Sequence, residues 1–499
     1  MNKEYNLEKQ HIKGKLHAIE RIKMLLDENS FCEIGSGITN YGSHTGKDEK
    51  KLPYDGVITG YGTILGRTVF VYAQDFSVNG GTLGLRHGKK IAHIIELAIK
   101  KRCPVIGIND SGGARIQEGV NALAGYGDVF YYNTLASGYI PQISIIAGPC
   151  AGGAVYSPGI TDFIFVIENI SKMFVTGPEV VKHIMGQSCT AEELGGARVH
   201  AEKSGVAHFY HKTEKSCFED VRRLIKYLPN YEEQEKAKEG ILSKKVSLNN
   251  IDSIIPKESK KAYDVRKIIT ELVDDDSFFE IEESHARNLI TGFAKLNSIT
   301  VGIVASQPAF LGGALDCDSS DKGARFVRFC DAYDIPLITL VDVPGFLPGL
   351  VQENAGIIRH GAKLLYAYAE ATTIKLTVIL RKAYGGAYIA MCSKHLRADM
   401  VYCWPEAEIA VMGAEGAVPI IYGNQLKGMM EEEKKVFLEE QLMNYKKQYI
   451  NATTALEEGF VDELLLPEET RERLYKDLVA LEGKKDLIQI HKKHGNIPL

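Results

Sequence analysis

Apolar and polar positions along this chain run through one order twice. Ile91, Ile94, Ile95 and Ala98 follow the spacing i, i+3, i+4, i+7, which predicts an amphipathic helix. Phe326, Phe329, Cys330 and Tyr333 repeat that spacing, shifted by about one turn relative to the proline that follows. After each face comes a short apolar strand, Pro104 to Ile108 and Pro336 to Leu340. Six positions after each proline stands an aspartate, Asp110 or Asp342, expected to open a polar glycine-containing loop. A second apolar strand follows, expected from Ile140 to Ala147 in the first copy, and then a double glycine, Gly152-Gly153 or Gly385-Gly386. Upstream, YDGVITGYGTIL (54–65) resembles LITGFAKL (289–296), and small-residue turns follow at 76–84 and 310–316. The spacings agree: Gly81 precedes Pro104 by 23 positions and Gly313 precedes Pro336 by 23, while Asp110 to Gly152 spans 42 and Asp342 to Gly385 spans 43. Landmarks that keep their order and spacing argue for an internal duplication rather than chance likeness. Strand, helix, strand, loop and helix, strand predicts βαβ units and a mostly parallel sheet, so the fold class is α/β in two tandem domains. The boundary is expected within 228–261, which carries a charged, helix-prone run and then a polar, Lys-rich one; it is set as 1–250 and 251–499.

Composition narrows the function classes. The 499 residues are 45% hydrophobic and 25% charged, which supplies ample apolar surface to offset chain entropy and excludes a disordered chain. With 59 basic and 64 acidic residues the net charge is −5, against the basic excess that a broad nucleic-acid surface needs. The longest stretch without charge, Val129 to Thr161, contains Pro141, Pro149 and Pro158, so no membrane insertion is expected. A charged start without an apolar core and an odd count of nine cysteines lead to the expectation of reduced thiols in the cytoplasm.

The double glycines are the strongest candidate chemistry. A Gly-Gly between a buried strand and a helix exposes main-chain N–H groups that a ligand can approach, and the helix N-terminus adds partial positive charge. Two such donors aimed at one point form an oxyanion hole. For one such pair tight helix-sheet packing is the better explanation; two at matching places reverse that preference towards the functional reading. Other chemistry is missing from the sequence: there is no G-x-x-x-x-G-K-[ST], G-x-G-x-x-G after a strand, C-x-x-C, G-x-S-x-G or paired His/Cys metal spacing. His87, His93, His200, His208 and His360 are scattered and read as surface or packing residues. Cys150 has no neighbouring base to lower its pKa and reads as a small buried thiol. Arg86, His87, Lys89 and Lys90 at a helix start are suited to phosphates, or equally to a solvated helix end. These absences favour chemistry run by main-chain donors and by cofactors brought from outside.

Over nearly its whole length the chain resembles the carboxyltransferase (beta) subunits of biotin-dependent acyl-CoA carboxylases such as propionyl-CoA carboxylase. It is also similar to the alpha subunits of methylmalonyl-CoA decarboxylases. The motifs are DSGGARIQEGV (110–120), IPQISIIAGPCAGGAVYSP (140–158), FVTGPEVV (174–181), ELGGARVH (193–200), VDVPGFLPG (341–349), RKAYGGAYIAM (381–391), IAVMGAEGAV (409–418) and HGNIPL (494–499). The resemblance implies two tandem crotonase-like (ClpP/crotonase) domains, with acyl-CoA bound by the first and biotin by the second. It implies hexamers with each active site between domains of two subunits. Gly152 and Gly153 would donate to the thioester carbonyl of acyl-CoA, and Gly386 and Ala387 to the ureido oxygen of biotin. Gly385, Tyr384 and Ile389 would be cofactor-binding, with Ile389 in the wall of the acyl pocket; Arg86 and Lys89 of the basic helix start join them as cofactor-binding candidates. Two enolate-like anions would be held in turn, with no side-chain base and no metal. The chain lacks an AMKM biotin-attachment motif and a recognisable ATP loop, so a separate biotin carrier protein and a biotin carboxylase are implied as partners.

Departures from the family pattern bear on substrate and direction. Pro419 stands where Asn usually follows the MGAxGAV run, and YINATTA replaces an NPY-like segment near 450. Ile389 follows GGAY where propionyl-CoA members often carry Asp, which puts propionyl-CoA preference in question and is shared with decarboxylase-type relatives. No four-cysteine zinc ribbon precedes the first domain. Carboxylation of acetyl-CoA or propionyl-CoA is the first reading. Decarboxylation of malonyl- or methylmalonyl-CoA through the same site is the second, and a non-catalytic CoA-binding scaffold is the third.

Overall fold

Two compact units, 1–238 and 239–499, divide the chain in the computed structural model, which describes residues 7–41, 51–230, 254–256, 258, 261–485 and 492–499. The boundary expected between 250 and 251 lies outside the described residues.

In the first unit β1 (Cys32–Ile34), β2 (Val57–Ile64), β3 (Arg67–Gln74), β4 (Val105–Ser111), β5 (Gln142–Ala151), β6 (Phe163–Ile167), β7 (Lys172–Phe174) and β8 (Phe209–His211) form one sheet. Its order is β1-β2-β3-β4-β5-β6-β8, with β7 beside β5. The β1-β2-β3 pairs are antiparallel and the others parallel. The second unit repeats this with β9 (Phe279–Ile281), β10 (Leu289–Leu296), β11 (Ile299–Ser306), β12 (Leu337–Val343), β13 (Lys375–Tyr384), β14 (Met400–Cys403), β15 (Glu408–Ala410) and β16 (Glu463–Leu464). Its order is β9-β10-β11-β12-β13-β14-β16, with β15 beside β13.

Helices Leu85–Lys101 and Cys317–Ala332 carry the chain from β3 to β4 and from β11 to β12. Ile91, Ile94, Ile95 and Ala98 all face the core, each isoleucine gaining about 1.5–3 kcal/mol of transfer free energy there. Phe326, Phe329 and Cys330 are buried likewise, and Tyr333 is buried one residue past its helix, as the C-cap. Each helix also buries a lysine. Lys90 Nζ donates to the carbonyls of Tyr54, at 2.9 Å, and Val57. Lys322 Nζ donates to those of Glu282 and His285, each at 2.9 Å. Both lysines tie down the entrances to β2 and β10, where Tyr54, Asp55 and Glu282 hold positive φ.

Two strand expectations need correction. β5 starts later than Ile140 and continues to Ala151, because beyond its bulge it pairs with β4 again at Cys150 and with β7 at Pro149–Ala151. Asp110 and Asp342 do not open loops: both are fully buried inside β4 and β12.

Candidate functional site

Each double glycine sits where the longest strand of its sheet stops. β5 ends extended at Ala151 (φ −119°), Gly152 turns to φ +59°, and a 3₁₀ turn Gly152–Val155 begins. β13 ends extended at Tyr384 (φ −114°), Gly385 turns to φ +59°, and a helix Gly385–Ala390 begins. The first amides of such a turn have no acceptor within it. Gly152, Gly153 and Gly385 are half-buried and Gly386 is exposed, while Ala387 packs inward, fully buried. A Cβ on Gly152 would meet only the Val175 carbonyl at 3.8 Å; one on Gly385 would meet the Val411 carbonyl at 3.1 Å. Val175 and Val411 directly follow β7 and β15, so both cradles are bounded by the same piece of backbone. A Cβ on Gly153 would come within 3.1 Å of the Tyr126 ring, and one on Gly386 would stand 3.8 Å from Phe346. The helices expected after the pairs are short, four and six residues in their first segments, so each pair presents turn amides rather than a helix macrodipole.

Just before each turn the parallel ladder is broken. Between Asn109↔Ile146 and Ser111↔Cys150, β4 advances two residues and β5 four. Between Val341↔Ile379 and Val343↔Ala383, β12 and β13 do the same. Opposite each bulge stands the buried aspartate. Asp342 Oδ2 accepts from Arg381 Nε at 2.9 Å and Oδ1 accepts from the Lys382 amide at 3.1 Å. Asp110 Oδ2 accepts from Lys15 Nζ at 2.6 Å and Arg21 Nη1 at 3.0 Å, and Arg21 Nη2 donates to the bulge carbonyl of Ala147 at 2.7 Å. Sequence reasoning marked both aspartates as landmarks but missed their partners; Arg21 lies 89 positions from Asp110.

The remaining candidates separate into two places. Tyr384 and Ile389 share the second glycine turn. The Tyr384 phenol donates to the Glu408 carboxylate, and that contact together with burial pushes it well above its ordinary range. Ile389 is half-buried and is the fifth residue of its turn, the place held by the exposed Tyr156 in the first copy. Arg86 and Lys89 sit on the first two turns of helix Leu85–Lys101, outside both glycine turns. The Arg86 guanidinium donates to the carbonyls of Thr39 and Asn40 at 3.2 Å and lies 5.6 Å from the Tyr41 ring centroid. Lys89 is exposed. His87 and Lys90 leave the proposed phosphate cluster altogether: both are buried, and burial holds the His87 imidazole well below its usual pKa. Cys150 is fully buried in β5, where burial pushes its thiol well up. Pro419 lies within helix Ala414–Ile421, not in a loop. Among the described residues no group of three or more His, Cys, Asp and Glu could hold a metal ion, and no helix is long and apolar enough to cross a membrane.

Two α/β units with mixed, mostly parallel sheets, each ending its longest strand in a double-glycine turn, define a tandem crotonase-like protein. The carboxyl transferase domain family matches residues 9–497, and the chain belongs to that family; it is a carboxyltransferase. A putative propionyl-CoA carboxylase beta chain of Bacillus subtilis (strain 168) is 53% identical over 493 residues, covering 99% of this chain and 96% of the relative. A methylmalonyl-CoA decarboxylase subunit alpha of Propionigenium modestum is 49% identical over 495 residues, covering 99% and 95%. The crystal structure of transcarboxylase 12S, a hexamer assembly with hydrolysed methylmalonyl-coenzyme A bound, matches with a TM-score of 0.94 at 45% identity, covering 99% of this chain and 95% of that one.

Proposed function

We propose that this chain is the carboxyltransferase subunit of a biotin-dependent acyl-CoA carboxylase. It moves a carboxyl group between carboxybiotin, borne on a separate carrier protein, and the α carbon of a short acyl-CoA, acetyl-CoA or propionyl-CoA. The observation that carries this reading is the pair of glycine turns at matching positions, each opening on a glycine at φ +59° whose added Cβ would meet only a backbone carbonyl. In the first unit Gly152 and Gly153 donate to the thioester carbonyl and would hold its oxygen while the α proton passes to the ureido nitrogen freed by departure of the carboxyl group. In the second, Gly386 and Ala387 donate to the ureido oxygen of biotin, beside Gly385, Tyr384 and Ile389. A neutral ureido ring suits this wall: Ile389 is apolar and the Tyr384 phenol is already engaged by Glu408. Biotin bound there would supply the carboxyl group, and the Gly386 and Ala387 amides would hold negative charge on its ureido oxygen. Arg86 and Lys89 meet the phosphates of CoA. The working assembly is a cytoplasmic homo-hexamer served by a biotin carboxylase and a biotin carrier, in keeping with the hexameric transcarboxylase 12S. Ile389 and the 49% identity to a decarboxylase subunit favour a second reading, the same transfer run from malonyl- or methylmalonyl-CoA to biotin.

The test is biotin-dependent carboxyl transfer by the purified protein, with acetyl-, propionyl- and butyryl-CoA forwards and their carboxylated forms backwards. Transfer confined to short chains is expected. A protein that moves no carboxyl group in either direction with any of them would overturn the reading.

A further inference from the structure

A bulge that breaks a parallel ladder leaves backbone groups without their usual partners and turns the strand beyond it. In both units the break lies between Ile146 and Cys150 or between Ile379 and Ala383, and pairing resumes two residues before the first glycine of the donor turn. The direction in which the amides point is therefore set by how the bulge is held. In both units it is held by a buried aspartate and an arginine.

We propose that Asp342 with Arg381, and Asp110 with Arg21, are positioning residues for carboxyl transfer: each pair locks the bulge that aims the following glycine turn. The proposal rests on the reading of those turns as oxyanion donors. In the second unit Asp342 reaches the bulge twice, accepting from the Lys382 amide and from Arg381. Arg381 is anchored at its far side too. Nη1 donates to the carbonyls of Lys261 at 3.0 Å and Glu258 at 3.3 Å, and the guanidinium lies 5.0 Å from the Tyr263 ring centroid. In the first unit Arg21 performs the reach, joining Asp110 to the Ala147 carbonyl, while its Nε donates to Glu214 at 2.6 Å.

The two units keep the pair but not its source. Arg381 sits in the middle of its bulge, where the first unit has Gly148. No side chain fits there: a Cβ on Gly148 would fall 1.9 Å from Asp110 Oδ1. The arginine comes instead from helix Ala18–Leu25. Packing alone gives no reason for both copies to retain a carboxylate and a guanidinium at this point. A buried ion pair is a poor means of gaining stability compared with apolar residues of similar size, and its best-attested use is to fix one register among several. The register fixed here is that of the strand carrying the donors.

The experiment uses the full-length protein in the biotin-dependent transfer assay, reading kcat, KM for acyl-CoA and the thermal midpoint. Asp342→Asn is expected to lower kcat about 10- to 100-fold, the scale of a misplacement near 1 Å, with KM for acyl-CoA within about twofold of wild type. That variant leaves a buried guanidinium unpaired and lowers the midpoint, so the double substitution Asp342→Asn with Arg381→Met accompanies it. The double variant should regain most of the midpoint and little of the kcat. Arg21→Lys, which retains the charge facing Asp110 but not the fork to Ala147 and Glu214, should lower kcat in protein that is still fully folded at the assay temperature. If kcat returns together with the midpoint in the double variant, or Arg21→Lys keeps full kcat, the pairs serve packing and the proposal is overturned. Wild-type protein that transfers nothing overturns the functional reading and this proposal with it. Active wild type with unaffected variants overturns this proposal alone.

Discussion

Gly385 and Gly386 are adjacent glycines present for different physical reasons. Gly385 has φ +59° and a Cβ there would press on the Val411 carbonyl at 3.1 Å, so any L side chain is strained. Gly386 is outside the left-handed region, and its added Cβ would make only ordinary contact with Phe346 at 3.8 Å. Gly385→Ala is therefore expected to cost about 1–2 kcal/mol of stability, the price of a left-handed L residue. Gly386→Ala should leave the thermal unfolding curve close to wild type. Equal losses from both substitutions would show that backbone conformation does not select the first glycine. At this scale the sequence revealed the turn, because consecutive glycines after an apolar run are a local signal. It did not reveal Gly148, whose need for a missing Cβ comes from a carboxylate 38 positions earlier that only the folded sheet brings near.

Whole elements were more legible than single contacts. The helical face Ile91, Ile94, Ile95 and Ala98 is buried as its spacing requires, and the four polar residues before it divide by the same period. His87 and Lys90 turn inward with Ile91 and Ile94, while Arg86 and Lys89 turn outward. A phosphate cluster of all four was thus excluded by helix geometry before any ligand is considered. What periodicity does not show is the task of an inward lysine. Lys322 on helix Cys317–Ala332 holds two carbonyls of the turn before β10, and burial brings its pKa down to about 8 from 10.5. Between those two pH values the unfolded chain keeps a proton that the folded protein has released, so the Lys322 contribution to stability grows as pH rises through the window and is lost as pH falls through 8. The neutral amine still has two N–H groups for its two carbonyls. The stability lost on Lys322→Met is therefore expected to be greater at pH 10 than at pH 7.5, measured by urea unfolding of both proteins. A deficit no larger at pH 10 would contradict this account of the lysine.

On the scale of the whole chain, one backbone plan is written twice with different side chains. Unit one joins His17 to Asp75 at 2.9 Å near the start of its first core helix, and unit two joins Gln307 to Asp264 at 2.6 Å at the start of helix Arg266–Leu272. The bulge arginine changes origin in the same manner. The strand order, the ladder break and the positive φ of the first glycine remain common to both. On the function proposed above, main-chain amides carry the chemistry, so no reactive side chain has to survive in either copy and the adjoining residues become free to suit different ligands. Transfer between two ligands needs both cradles in one reaction, so their losses should not multiply as independent defects do. Gly153→Val and Gly386→Val, each confirmed folded by circular dichroism, are expected to lower kcat for biotin-dependent transfer by about 10²- to 10³-fold, the usual cost of losing an oxyanion donor. The double variant should fall no further than the more damaged single one by more than about tenfold. A folded Gly386→Val protein with wild-type kcat would remove the second cradle from the chemistry and leave the duplication as architecture only.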